Sequence, residues 1–232
     1  MKWKGDIPPL PLGRGINGRM KKYSAEFFGT YFMVFIGTGS IILDQIYTGT
    51  VTHAGISIAF GLAVFLMVYI FGHISGAHIN PAVTIGLAVY KKFPSNQILP
   101  YIAAQLGGAV AASFSLYLIF GNSTTLGSTL PSGSSYQSFM LEFIMTFLLM
   151  FVIMCAAAGK KINWFGSGLA IGAAVGIDAF LGGRISGASM NPARSFGPAI
   201  INMNFESHWI YWFAPISGSL FGVLLHSYVS KR

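Results

Sequence analysis

The chain has 232 residues, of which 53% are hydrophobic and only 9% charged, with a mean hydropathy of +0.64. An ordinary soluble domain carries about 25% charged residues, so a water-soluble globule of this composition could not cover its surface. The net charge of +8 lies in scattered short clusters and not in a nucleic-acid-binding patch, the lone Cys155 excludes an internal disulfide framework, and no Cys/His spacing forms a metal site, so neither a metal nor a cofactor is expected.

Residues 1–22 carry Lys2, Lys4, Arg14, Arg19, Lys21 and Lys22 around PPLPLG and lack an apolar signal core and a cleavage site, so they read as a solvated basic tail near anionic headgroups. Apolar runs follow at 23–43, interrupted only by Glu26, and at 53–71, each long enough to cross a hydrocarbon core of about 30 Å. Residues 72–79 read as a glycine-rich loop that re-enters the bilayer, a conformation tolerated there only where protein buries it or water bathes it. A short helix is predicted to start at Asn80. The third span covers 97–120, with Gly107, Gly108 and several alanines as small residues that let helices approach closely. After the uncharged loop GNSTTLGSTLPSGSS come a fourth span at 139–158 and a fifth at 166–182, joined by a short loop with Lys160 and Lys161. A second re-entrant loop covers 183–190, a second short helix starts at Asn191, and a sixth span at 209–229 leaves 230–232 as a short tail.

Twelve of the 14 basic residues fall in segments that share one side of this arrangement, the exceptions being Arg184 and Arg194. The positive-inside rule then puts both termini in the cytoplasm, which requires an even number of spans.

The stretch SGAHINPAVT at 75–84 occurs again as SGASMNPARS at 186–195, 111 residues downstream. Asn is a strong helix N-cap and Pro suits the first helical position, so Asn80-Pro81-Ala82 and Asn191-Pro192-Ala193 each start a helix. A cap that accepts through its side-chain oxygen leaves its NH₂ fixed and pointing outward as a donor. About nine apolar or small residues follow Asn80, enough for roughly 13 Å of helix, half a hydrocarbon core. Two such helices meeting head to head place both positive dipole ends at the midplane.

The repetition goes beyond the motifs. AEFFGTYFMVF at 25–35 matches LEFIMTFLLMF at 141–151, including Glu26 with Glu142, and IAFGLAV at 58–64 matches LAIGAAV at 169–175. The membrane domain at 23–229 is thus two halves of one design, about 23–120 and 136–229. Each half has three spans, an odd number, so the second half is inverted relative to the first.

Six spans, paired Asn-Pro-Ala loops, Arg194 directly after the second motif and one Glu in the first span of each half resemble the aquaporin, or major intrinsic protein, family. The loop text GSTLPSGSS, the run FMLEFIMTF and SGASMNPARSFGPAI are most similar to nodulin-like intrinsic proteins and their bacterial relatives. The resemblance implies an all-α membrane protein, a right-handed bundle of six transmembrane helices and two re-entrant half helices, assembled as a homotetramer in the plasma membrane. It implies passive passage of water and small uncharged solutes, such as glycerol-like polyols or neutral boric, silicic or arsenous acid, with ions and protons excluded. By the same analogy, carbonyls of Gly76, Ala77 and His78, and of Gly187, Ala188 and Ser189, form a ladder of acceptors along the pore.

The family's constriction is set by four positions, which map by counting from the motifs onto Phe60, Ala179, Ala188 and Arg194. Water-selective members usually place His at the second of these, so Ala179 implies a wider and less polar opening. Ser195, Ala199, Tyr211 and Trp212 instead match what water-type members carry, which keeps a strict water channel as the alternative. A count wrong by one residue would put Asp178 in the filter. An intramembrane Arg is costly, which makes Arg194 a functional residue by default; Arg184 reads equally as a loop anchor or as a mouth residue. Glu26 and Glu142 read as buried acceptors for loop N–H groups in preference to a proton relay. A coupled transporter would need titratable groups at the midplane, and a membrane scaffold would need no pore. No nucleophile, base and oxyanion set can be assembled, so no enzyme activity is expected.

Overall fold

In a computed structural model that describes residues 16–122, 125–157 and 163–230, those residues form eight α-helices and no strand. In chain order they are α1 (Ile16–Ile46), α2 (Thr52–Ser75), α3 (Pro81–Val89), α4 (Ile98–Phe120), α5 (Ser135–Ala157), α6 (Trp164–Gly182), α7 (Pro192–Asn202) and α8 (Ile210–Val229). All but α3 and α7 are long and apolar enough to cross a membrane. Residues 1–15 of the expected tail, Ala158 at the end of the fourth predicted span, the Lys160-Lys161 loop and residues 231–232 lie outside the described residues.

Several helices run further than their apolar runs alone predict, α5 by starting at Ser135, α6 at Trp164, and the first two as follows. The first begins at Ile16, inside the stretch that composition assigns to the tail, and carries Lys22 with only 6% of its surface exposed. A lysine can lay its methylene stem along apolar surface, so the basic cluster need not end the helix. The second continues through Gly72 to Ser75, where the sequence predicts a loop, because the Gly76 N–H still donates to Gly72 O at 2.9 Å. The re-entrant loop is correspondingly short.

The bundle follows the repeat. α1 packs on α2 and α4, α5 packs on α6 and α8, and α2 packs on α6 across the join. At that join Gly61 and Gly172, which occupy the same place in the two repeats, face each other. A Cβ on Gly61 would lie 2.7 Å from Gly172 O, and one on Gly172 would overlap Gly61 O, so the two backbones touch where any side chain would part them. Each short helix docks on the last span of the opposite repeat, α3 on α8 and α7 on α4, and Ser219 donates to Ala82 O at 2.8 Å to pin the first of these contacts. Large apolar side chains such as Phe28, Ile58, Leu118, Phe180 and Phe221 remain exposed on the outside, as expected where lipid is the solvent.

Candidate functional site

Both motifs start their helices as their chemistry dictates. Asn80 is extended at φ −157° and ψ 120° and accepts from Ala82 N at 2.8 Å. Asn191, at φ −150° and ψ 109°, accepts from Ala193 N at 3.0 Å and Arg194 N at 3.4 Å. The amides are not left as free outward donors, however. Asn80 Nδ2 donates to Met190 O and Asn191 Nδ2 to Ile79 O, each at 2.8 Å. Because the two helices meet head to head, the last carbonyl of each loop comes within reach of the other loop's cap. One hydrogen of each NH₂ is spent on that reciprocal bond, and one remains.

The loops that lead into the caps are strained and held by buried carboxylates. Gly76 and Gly187 take φ of 92° and 84°, and the non-glycine residues Ala77, Ile79, Ala188 and Met190 also have positive φ, at 45°, 43°, 43° and 53°. Such conformations cost on the order of 1–3 kcal/mol each unless the surroundings impose them. Glu26 accepts from Ser75 Oγ, His78 N, Ile79 N and Gln105 Nε2 at 2.7 to 2.9 Å. Glu142 accepts from Ser186 Oγ, Ser189 N and Met190 N at 2.7 to 2.8 Å. Both carboxylates are completely buried. With the loops turned this way, the carbonyls of Gly76, Ala77, His78, Gly187, Ala188 and Ser189 accept no hydrogen bond from other described residues.

A narrow cavity of about 80 Å³ runs past these loops and both Asn residues. Its opposite wall is apolar, built from Val64, Val68, Leu149, Ile153, Ile171 and Val175. A buried water needs roughly 10–15 Å³ of such space, so the cavity has room for several. On one side it meets a wider vestibule of about 410 Å³. Phe60, Ala188 and Arg194 line both spaces and therefore sit at their junction, while Ala179 lines the vestibule beside them. Asp178 lines neither space and is 1% exposed within the helix packing, so the position that faces the opening is Ala179. Arg194 is also 1% exposed; its Nη1 donates to Gly127 O at 2.6 Å, its guanidinium lies 5.0 Å from the centre of the Phe60 ring, and its Nε has no partner. Arg184 anchors the 125–134 loop through its carbonyl, which accepts from Ser132 Oγ at 2.6 Å, and its exposed side chain faces the vestibule.

Several residues that build the site were assigned no such role from the sequence. Tyr101 Oη donates to Ser75 O at 2.9 Å and Tyr211 Oη to Ser186 O at 2.7 Å, equivalent bonds in the two halves. The spacing of each tyrosine from its motif was the available signal. Gly127 and Thr129, which bond Arg194 and Ser195, lie in a connecting loop without a counterpart in the other half, so the repeat could not single them out. Tyr211→Phe deletes a hydroxyl and leaves a buried carbonyl unpaired, and the expected loss is about 1–3 kcal/mol. A melting curve of the purified protein in detergent checks this, with Tyr101→Phe expected to lose a similar amount; an unshifted midpoint for both contradicts it.

A bundle of six spans whose two short helices meet beside a lined cavity that adjoins a wider vestibule is the architecture of a membrane channel. The chain belongs to the major intrinsic protein family, whose model matches residues 16–226. It is 46% identical over 211 residues to aquaporin NIP1-1 of Oryza sativa subsp. japonica, covering 90% of this chain and 74% of that protein. It is 43% identical over 211 residues to nodulin-26 of Glycine max, covering 90% and 78%. The fold matches the X-ray structure of the aquaglyceroporin from Plasmodium falciparum with a TM-score of 0.79 at 23% identity, over 92% of this chain and 96% of that one. It is therefore an integral, multi-pass membrane protein of the aquaporin type, in a family of channels and not of enzymes.

Proposed function

We propose that this channel carries water together with small neutral solutes of the glycerol or undissociated hydroxy-acid class, down their gradients, and excludes ions and protons. The filter is Phe60, Ala179, Ala188 and Arg194. Free carbonyls of the two loops and the remaining amide hydrogens of Asn80 and Asn191 replace part of the solute's hydration, each bond lost without replacement costing about 1–3 kcal/mol. Cations are opposed by two positive helix ends and by the Arg194 guanidinium. Anions meet an apolar wall and a desolvation cost of several kcal/mol. The protein works as a homotetramer with one passage per protomer, in the plasma membrane, with both termini in the cytoplasm. The names of its relatives, an aquaporin NIP1-1 and a nodulin-26, support the channel class on which this proposal builds.

The observation that carries the choice of solute is the small, apolar Ala179 at the vestibule side of the junction. A strict water channel is the second reading, favoured by Ser195, Ala199, Tyr211 and Trp212. None of those four lines the passage or the vestibule: Ser195 bonds Thr129 and Ser189, and Tyr211 bonds the Ser186 carbonyl. They therefore report on the scaffold more than on what the solute touches. Stopped-flow swelling of proteoliposomes in water, glycerol, urea, boric acid and arsenous acid distinguishes the two readings. Ala179→His adds bulk and polarity at the opening, and glycerol permeability is expected to fall about tenfold relative to water, a barrier change of about 1.4 kcal/mol. An unchanged ratio removes Ala179 from the filter.

A further inference from the structure

We infer that Gly37, on α1 and outside both the passage and the vestibule, sets the width of the junction by giving the Phe60 ring a slot to lie in. The inference rests on the reading of Phe60 as a filter residue and adds a residue behind it.

A Cβ built on Gly37 would overlap three carbons of the Phe60 ring, Cδ1, Cε1 and Cζ. The ring thus lies flush against the α1 backbone, in space that exists only because position 37 has no side chain. Gly37 is buried and has no positive φ to justify a glycine, and a mid-helix glycine otherwise costs about 1 kcal/mol relative to alanine. The requirement is therefore steric. On its free side the Phe60 ring borders both the passage and the vestibule, and Arg194 faces it with its guanidinium carbon 5.0 Å from the ring centre. Packed side chains surround the rest of Phe60, which belongs to the main buried apolar cluster. A methyl group at position 37 would displace the ring, and the side of the ring left free borders the opening and Arg194.

The neighbouring Gly39 shows that this is not a general property of α1. A Cβ there would come no closer than 3.4 Å to a Leu116 methyl carbon, an ordinary contact. Small residues along a transmembrane helix usually permit helices to approach, but the atoms that meet position 37 belong to a filter side chain and not to a neighbouring backbone. Gly37 is thus a positioning residue that acts through Phe60.

Swelling assays with water and glycerol on the full chain in proteoliposomes test this, using the wild type, Gly37→Ala, Gly39→Ala and the double variant Gly37→Ala/Phe60→Ala. Gly37→Ala is expected to lower glycerol permeability about tenfold and water permeability about threefold or less, raising the water-to-glycerol ratio, with Gly39→Ala unchanged. Removing the ring in the double variant is expected to restore glycerol flux to the wild-type level or above. A purely structural role for Gly37 would reduce both fluxes in proportion to the amount of assembled protein. If Gly37→Ala alone does not assemble, recovery of assembled protein in the double variant supports the contact and failure to recover overturns it. An unchanged flux ratio in Gly37→Ala, or a double variant as restricted as the single one, overturns the inference while leaving the channel intact. Absence of glycerol flux through the wild type overturns the solute reading, and the inference then stands or falls on whether Gly37→Ala slows water and Phe60→Ala reverses it.

Discussion

Glu142→Gln is expected to cost the protein several kcal/mol of stability and to abolish flux by unseating the second loop. The carboxylate uses both oxygens to accept from Ser186 Oγ, Ser189 N and Met190 N, all within 2.7 to 2.8 Å and all buried. A carboxamide keeps one acceptor and turns a donor toward at least one of those groups, and each buried donor left unpaired costs about 1–3 kcal/mol. Met190 at φ 53° and Ala188 at φ 43° then lose the partner that holds their strained backbone. The Met190 carbonyl also accepts from Asn80, so the damage reaches the first motif. Thermal aggregation followed by size-exclusion chromatography in detergent reads the loss directly. If Glu142 served as a proton relay, the variant would keep its melting behaviour and change only proton flux. Glu26→Gln is expected to behave in the same way, since Glu26 holds His78 N and Ile79 N in the first half.

Arg194→Val is expected to leave the fold intact, keep water flux and open the passage to cations. Valine is what the first repeat has at the equivalent place, Val83, which likewise follows Asn-Pro-Ala in the first turn of a short helix. The guanidinium is nearly inaccessible, has one bond to Gly127 O and keeps an unpaired Nε. Its removal costs the Gly127 carbonyl this donor, about 1–3 kcal/mol, partly offset because a buried charge with an unpaired Nε is no longer desolvated. A unit charge about 4 Å from a passing cation at an effective dielectric of about 20 opposes it by roughly 4 kcal/mol, on the order of a thousandfold in rate. The two helix ends at the midplane remain, so a smaller rise, at least tenfold, is expected in proton or potassium leak. A pH-sensitive dye trapped in proteoliposomes, read alongside swelling, measures both fluxes on one sample. Unchanged cation leak would assign exclusion to the midplane alone.

Much of this was readable in advance because it depends on local or periodic features. Asn followed by Pro starts a helix wherever it stands, so the starts of α3 and α7 fall where the motifs put them. Glu26 and Glu142 sit at matched places in the two halves, and a repeated acid inside an apolar run needs donors nearby. Helix ends were less legible. Gly72 read as a breaker, yet it continues α2 with a Cβ-free face against the Trp164 ring, a neighbour 92 residues away that no local pattern reveals. The vestibule loop was harder still, since Gly127 and Thr129 have no repeat partner and reach Arg194 and Ser195 only through the folded chain.

By itself, then, the order of residues determined the number of spans and the starts of α3 and α7, and it pointed to an inverted repeat and to four candidates around the opening. Each follows from hydropathy, capping chemistry or counting within a repeat. Only the tertiary structure decided that the two Asn amides are spent half on each other's loops, that Ala179 and not Asp178 faces the vestibule, and that Phe60 rests in a slot left by Gly37. Those outcomes depend on distances between segments far apart in the chain, which packing sets and composition does not encode.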